Sequence, residues 1–506
     1  MSRNAPLKMT SDEFRRAGHD LIDRIAERLA RIPQGPVTPG ETAPAVRTAL
    51  KTERALPERG TDAQRLLGET AELLFDHSTL NGHPRFFGYI TSSPAPIGML
   101  GDLLTAAINA NCGGWTIGPA AAEIELQTVR WIAEFIGFPA GAGGLLVSGG
   151  NMANFVCFLA ARTAKADWDV RKTGLQGHPT GKTPRLTVYA SAETHTWIQK
   201  AADLFGLGTD AIRWIAADAH QRMSTSELRR QIEDDRDRGE HPFLVVGTAG
   251  SVSTGAVDPL PEIASICREL GLWFHVDGAY GALAAAIPGV PRDLRALADA
   301  DSVAVDPHKW LYAPLEAGCA LVRRTSDLTN AFFYHPPYYH FNDEVVNFVD
   351  YGLQNSRGFR ALKVWLALQH IGRAGYQASI AEDMRLSRRL ATVLREHGDF
   401  EVLTQNLSIT TFRYIPRELR GRLDEADVCE QLNRLNRDVL TRIERSGEAF
   451  FSNAVIDGKF ALRACIVNFN TEEGDVESVP ALVARHAVLA KEELPHDFGV
   501  PTQRRI

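Results

Sequence analysis

Between Arg85 and Glu382 short apolar runs alternate with segments of helical periodicity, and that alternation leaves few folds open. LTVYA at Leu186–Ala190, FLVVG at Phe243–Gly247, WFHVD at Trp273–Asp277 and SVAV at Ser302–Val305 are continuous and apolar over a strand's length. Strands of this kind lie in sheets that are covered on both faces. Between two of them, PLPEIASICREL places its apolar residues at helical spacing instead. The pattern predicts an α/β fold whose mainly parallel sheet is clothed by helices. In such sheets ligands gather at the carboxyl ends of the strands, so the residues just after each run are the first candidates for a site.

The flanks read differently. The chain has 506 residues, too many for a single compact core. In the region up to Pro84, Thr10 and Glu13 are spaced as a capping box, and FRRAGHDLIDRIAERLARI repeats apolar residues at helical spacing. IPQGPVTPGETAP then predicts an extended crossing segment. A helix and an extended arm bury little of their own apolar surface, which makes a second subunit their expected resting place. From Asp383 to Ile506, helical patterns surround strand candidates such as EVLTQ and ACIVNF, as in a smaller α+β domain. A net charge of −7 favours neither nucleic acid nor an anionic membrane as partner. The first residues lack the apolar core of a signal peptide, and no apolar run approaches the ~18–20 residues that span a bilayer. The six cysteines are scattered, without CxxC or metal spacing, so buried thiols in a reducing cytoplasm and no metal are expected.

Chemistry concentrates where strands end. WFHV delivers Asp277, then Gly278, Ala279 and Tyr280; SVAV delivers Asp306, Pro307, His308, Lys309 and Trp310. A single lysine is ordinarily a solvated surface residue. A single aspartate after a strand is ordinarily a turn or cap. Together, on two buried strands, they face one crevice. Upstream, Ser148, Gly149, Gly150 and Asn151 join an apolar run to a helix. That turn is either a tight connection or a seat for a phosphate on exposed backbone N–H groups. It matches neither the P-loop nor the dinucleotide fingerprint. His195, in YASAETHTW, is either a packed interior histidine or an imidazole placed to stack on a flat ring.

In this order SGGNMAN, SAETHTW, HVDGAY and DPHKW resemble the group II pyridoxal-phosphate decarboxylases. These include the aromatic L-amino-acid, glutamate, tyrosine and histidine decarboxylases. The likeness runs from FFGYITSS through NANCGGWTIGP to LTNAFFYHPPYY, FRALKVW and RACIVNF, and so covers most of the chain. It implies fold type I, with a seven-stranded sheet in the large domain, and pyridoxal 5′-phosphate as cofactor. It also implies a homodimer with its sites at the subunit interface. Lys309 matches the Schiff-base lysine, whose amine must be neutral to attack an aldehyde. Asp277 matches the partner of the pyridinium nitrogen, and Ala279 and His195 match the groups on the two ring faces. Gly150, Asn151 and His308 match residues near the phosphate, and Ser356 matches a further cofactor-binding residue. Asp306 stands where several relatives carry asparagine, and an aspartate beside a phosphate needs a neighbouring cation.

For the substrate end, the segment Leu328–Asn347 is either a packed aromatic loop or, by resemblance, the active-site loop whose tyrosine protonates the carbanion after CO2 leaves. Tyr338 aligns best with that tyrosine, with Tyr339 one residue out of register. Relatives with phenylalanine there tend towards oxidative deamination to aldehydes, so Tyr338 with His195 implies simple decarboxylation. Tyr89, Ile90 and Gly113 match positions lining the pocket of aromatic amino-acid decarboxylases. Gly113 replaces a phenylalanine usually contributed by the other subunit, which implies a wider pocket and a substrate that is aromatic or otherwise bulky and neutral. A non-aromatic amino acid and an aldehyde product stay open as alternatives. Transaminases commonly bind the α-carboxylate with a small-domain arginine; Arg463 suits that role and equally suits the family's RACIVNF stretch.

Overall fold

The computed structural model describes residues 5, 7–178, 180, 184–335 and 344–493. Its main sheet has seven strands: β1 (Gly143–Val147), β2 (Leu186–Ser191), β3 (Ile212–Ile215), β4 (His241–Thr248), β5 (Trp273–Asp277), β6 (Ser302–Val305) and β7 (Gly318–Val322). They lie in the order β1-β7-β6-β5-β4-β2-β3. All neighbours pair in parallel except β7, which runs antiparallel to both β1 and β6. The other six therefore share one direction, and their carboxyl ends form one edge. All four strands expected from the apolar runs are present.

The helix Gly150–Lys165 buries nine consecutive residues, Ala153–Ala161, against the sheet. So continuous a buried run places the helix inside the molecule, with its first turn at the carboxyl edge of the sheet. The helices Pro119–Ile136 and Leu260–Leu270 contribute to a second core cluster that includes β4, β5 and β6 side chains of the opposite face.

A second sheet joins β8 (Phe400–Asn406), β9 (Ile409–Tyr414), β10 (Ser452–Ile456) and β11 (Lys459–Cys465) in the antiparallel order β10-β11-β9-β8. The expected strand ACIVNF is displaced: only Ala464 and Cys465 belong to β11, because pairing with β9 and β10 places the strand over the preceding Lys459–Leu462. A helical stretch, Ala361–His397, broken at Gly372, connects the two regions and runs through the expected boundary at Glu382 and Asp383.

At the amino end, Thr10 and Glu13 form the capping box of the helix Ser11–Arg31. The arm beyond it is more helical than its Pro/Gly content predicts, since Ala43–Leu50 and Ala63–Asp76 are also helices. Proline sits in the first turn of the shorter one, where its missing N–H costs nothing. Among the described residues no helix is long and apolar enough to cross a membrane. All six cysteines are unpaired thiols, and five are buried.

Candidate active site

A cavity of about 270 Å3 opens at the carboxyl edge of the main sheet. Eight residues singled out from the sequence line it: Gly150, Asn151, His195, Asp277, Ala279, Asp306, His308 and Lys309. A larger cavity, about 620 Å3, lies between the amino-terminal helices, but its lining is mostly apolar, with Thr70, Ser78, Asn81 and Asn470 as its polar residues, and offers no acidic or basic group. Size alone therefore does not locate the chemistry.

Asp277 ends β5, where its Oδ2 accepts the Trp197 indole N–H at 2.8 Å and its Oδ1 accepts the Ala279 N–H at 3.2 Å. Two donors hold one carboxylate in one rotamer. Behind it, His275 is fully buried between Asn154 Oδ1 at 2.7 Å and Ser302 Oγ at 2.8 Å. Burial pushes His275 down to about 4, so it supports the site as a neutral ring. Trp197 meets that ring edge-on, with centroids 5.7 Å apart.

Lys309 lies in the turn after β6, with Nζ 3.1 Å from Asp306 Oδ2. His308 Nε2 is 3.8 Å from the same oxygen. The cation that a buried aspartate requires is thus the lysine itself. Among the described residues Asp306 Oδ1 is buried without a hydrogen-bond partner, as is Thr248 Oγ1 on the same cavity wall. His308 Nδ1 lies 2.7 Å from the Ala317 carbonyl and 3.2 Å from the Ala317 N–H, so the backbone of one residue fixes the ring. Burial holds the His308 pKa below the ordinary imidazole value. His195 keeps an exposed edge, and its Nδ1 accepts the Trp197 N–H at 3.3 Å, leaving Nε2 to carry the proton of the neutral ring. Desolvation by the surrounding protein holds its pKa low as well.

The helix Gly150–Lys165 begins here without a side-chain cap. A Cβ on Gly150 would lie 2.6 Å from Asp306 Oδ2 and 3.0 Å from the Ala279 Cβ. Only glycine lets the backbone approach so closely, and it leaves the first-turn N–H groups facing the cavity.

The remaining predicted residues lie elsewhere in the chain. Ser356 is exposed and does not line this cavity. Gly113 neighbours the Ser356 segment: a Cβ there would come 2.1 Å from the Asn355 carbonyl oxygen. The Asn355 carbonyl therefore leaves no room for a side chain at Gly113 in this chain. The buried Glu125–Arg357 pair braces the patch, and Arg357 Nη1 also reaches the Cys112 carbonyl at 3.1 Å. Ile90 is buried in the core. Tyr89 is exposed at φ 52°, a strained backbone for a bulky side chain. Its carbonyl accepts Arg463 Nη1 at 3.2 Å. Tyr338 and Tyr339 lie outside the described residues.

Three features escaped the sequence reading. Thr248 and the loop through Gly250 and Val252 also line the cavity. The rule that ligands sit just after a strand points to Thr248, although the apolar run FLVVG stops one residue short. Trp197 had no such signal, because its partner Asp277 is 80 residues away.

A lysine and an aspartate at the ends of adjacent strands share one cavity with an uncapped helix start and an imidazole rim. Fold and site together are those of a pyridoxal-phosphate enzyme of fold type I. The pyridoxal-dependent decarboxylase conserved domain matches residues 44–415, and the chain belongs to that family. An aromatic-L-amino-acid decarboxylase of Bacillus atrophaeus is 33% identical over 476 residues, covering 93% of this chain and 94% of that protein. A phenylacetaldehyde synthase of a Rosa hybrid cultivar is 29% identical over 488 residues, covering 94% of each. The crystal structure of Oryza sativa TDC with PLP and tryptamine superposes with a TM-score of 0.87 at 27% identity, over 96% of this chain and 99% of that one. The protein is accordingly a carboxy-lyase that uses pyridoxal 5′-phosphate. The cavity fits that cofactor. Its glycine turn offers backbone donors to a phosphate, its fixed carboxylate suits a ring nitrogen, and its orphaned Asp306 Oδ1 and Thr248 Oγ1 are polar atoms awaiting partners.

Proposed function

We propose that this enzyme decarboxylates an aromatic or similarly bulky neutral L-amino acid to its amine. The observation that carries the proposal is the delivery of Asp277 and Lys309 by neighbouring strands β5 and β6 to a single cavity. The Gly149–Asn151 backbone and His308 would hold the cofactor's phosphate, Asp277 its ring nitrogen, His195 and Ala279 its two faces, and Lys309 its aldehyde carbon. When bound, the cofactor supplies an electron sink for the pair released as the substrate's carboxylate departs.

The protein's own groups do the rest. Asp277, fixed by Trp197, keeps a negative charge at one end of the cavity and so favours a protonated nitrogen there. Lys309 Nζ accepts and returns protons during exchange of substrate for lysine. Tyr338 delivers a proton to the substrate's α-carbon, and its hydroxyl decides between amine and aldehyde. Arg463 supports a carboxylate-bearing substrate. It is 2% exposed, its Nη1 donates to the Tyr89 carbonyl and to Ser452 Oγ, and among the described residues its Nε and Nη2 lack partners. A buried guanidinium without a counter-charge is costly unless an anion joins it.

The second reading, an aldehyde synthase, is favoured by the phenylacetaldehyde synthase likeness. Tyr338→Phe separates the two. We expect CO2 release to fall by ~10²-fold, the scale of one general acid, with ammonia and aldehyde appearing. Ammonia already formed by the unaltered enzyme in step with CO2 would instead establish the synthase. The same change produced by Tyr339→Phe alone would move the acid by one residue.

A homodimer completes this reading. Leu100, Leu103, Leu104 and Ile108 expose an apolar stripe on the helix Pro96–Ile108. Phe14, Ile22, Leu66, Leu67 and Leu74 are likewise exposed on the amino-terminal helices. So much unpaired apolar surface suits burial against a second copy. Gly113 and Ser356, displaced from their own cavity, would then serve the partner's. Sedimentation at low concentration should find dimers; a folded, active monomer would contradict this. The unpaired, mostly buried thiols support a reducing cytoplasm as the setting, which a localisation experiment with a tagged full chain would check.

A further inference from the structure

Asp383 takes no part in the chemistry above, yet it is only 2% exposed and joins the site to the rest of the molecule. Its Oδ2 accepts the Trp310 indole N–H at 2.8 Å and the Tyr312 hydroxyl at 2.7 Å. The backbone N–H of Asn468 reaches the same carboxylate. Trp310 directly follows Lys309, and Tyr312 follows two residues later at φ 51°, where a bulky residue is held only by its surroundings. Those surroundings are specific. Trp310 stacks on Tyr280 with centroids 4.8 Å apart, and the Tyr280 hydroxyl lies 2.6 Å from Ser408 Oγ of the smaller region. Tyr312 stacks on Tyr376, whose hydroxyl donates to the Leu311 carbonyl at 2.9 Å. Asn468 in turn donates through Nδ2 to the His83 carbonyl at 2.8 Å.

Three parts of the chain therefore meet at one carboxyl group, the lysine turn, the connecting helix and the segment after β11, and the amino-terminal arm joins them through Asn468. Among the described residues every hydrogen-bond partner of that group is a neutral donor, and burial pushes its pKa up to about 7. A buried carboxyl without a cation is an expensive way to hold a fold together. Without its oxygens the Trp310 and Tyr312 donors would be stranded in the interior, so the group fixes where both rings sit.

We propose that Asp383 is a positioning residue: by holding Trp310 and Tyr312 it orients the turn that presents the Lys309 amine to the cofactor. The proposal rests on Lys309 being the cofactor's lysine. The test compares Asp383→Leu, Asp383→Asn and Tyr312→Phe with the unaltered enzyme. Pyridoxal 5′-phosphate is titrated into each apoenzyme, the visible band of the bound cofactor is recorded, and kcat and KM are measured separately. Asp383→Leu should weaken cofactor binding at least ~10-fold, the worth of one charge-assisted hydrogen bond, and lower kcat with KM within ~3-fold. Asp383→Asn keeps an acceptor oxygen and should restore most of both. Tyr312→Phe removes one donor and should fall between them; it also serves as the test if the leucine variant does not fold. An Asp383→Leu enzyme with a lowered melting temperature but unchanged cofactor affinity, spectrum and kcat would overturn the proposal and leave Asp383 a structural residue. Lys309→Ala is the control: a persistent visible band and turnover there would sink the lysine assignment itself, a result distinct from any outcome at Asp383.

Discussion

Lys309→Ala should abolish turnover, with kcat falling by at least ~10³-fold, since on the proposed reading it removes both a covalent attachment point and a proton carrier. The geometry explains why no neighbour can substitute. His308 is turned to the Ala317 carbonyl through Nδ1, and His195 lies on the far loop after β2. No other lysine lines the cavity among the described residues. Loss of the lysine also leaves Asp306 buried beside His308 alone, so cofactor affinity should drop with activity. Dialysis followed by absorbance measurement distinguishes lost attachment from a merely slowed reaction. Retained activity above a tenth of the original would remove Lys309 from the account.

The largest expected loss of stability lies outside the cavity. Glu125→Ala should destabilise the protein by about 3–5 kcal/mol, the usual result of leaving one partner of a buried ion pair uncompensated. Glu125 is fully buried and accepts the Leu146 N–H at 2.7 Å, while Arg357 bonds Glu125, Cys112 and Leu146 and lies 4.8 Å from the Phe348 ring centre. Removing the carboxylate strands a guanidinium inside the protein. The damage should reach function too, because the pair ties β1, which leads into the Gly149–Asn151 turn, to the Gly113 and Ser356 patch. A double change of Glu125 and Arg357 to leucine should recover part of the lost stability, since it removes the stranded charge. Urea unfolding midpoints check this; a loss below about 1 kcal/mol for Glu125→Ala would place the pair among ordinary surface contacts.

The sheet was readable where its strands are buried on both faces. Leu186–Ser191, Trp273–Asp277 and Ser302–Val305 are too apolar to lie anywhere but inside. The direction of β7 was not readable, because GCALV carries no mark of its antiparallel partners. Nor were the two later arm helices, whose polar faces and short lengths blur the periodicity. Eight site residues could be found because they directly follow strands or open a helix, so local order in the chain becomes proximity in the fold. Gly113 and Ser356 were named through the resemblance alone, and their meeting in one patch was not readable, since it depends on Arg357 meeting Glu125 across 232 residues. For the same reason the close approach of the Asn355 carbonyl to Gly113 could not be read from the chain.

The central claim, decarboxylation of an aromatic amino acid to its amine, is tested most directly by incubating the holoenzyme with a panel of L-amino acids while measuring CO2, amine and ammonia together. The account predicts CO2 with an equal amount of amine from tryptophan, tyrosine, phenylalanine or dopa, and no ammonia. Ammonia and aldehyde in step with CO2, or CO2 only from acidic or small substrates, would contradict it.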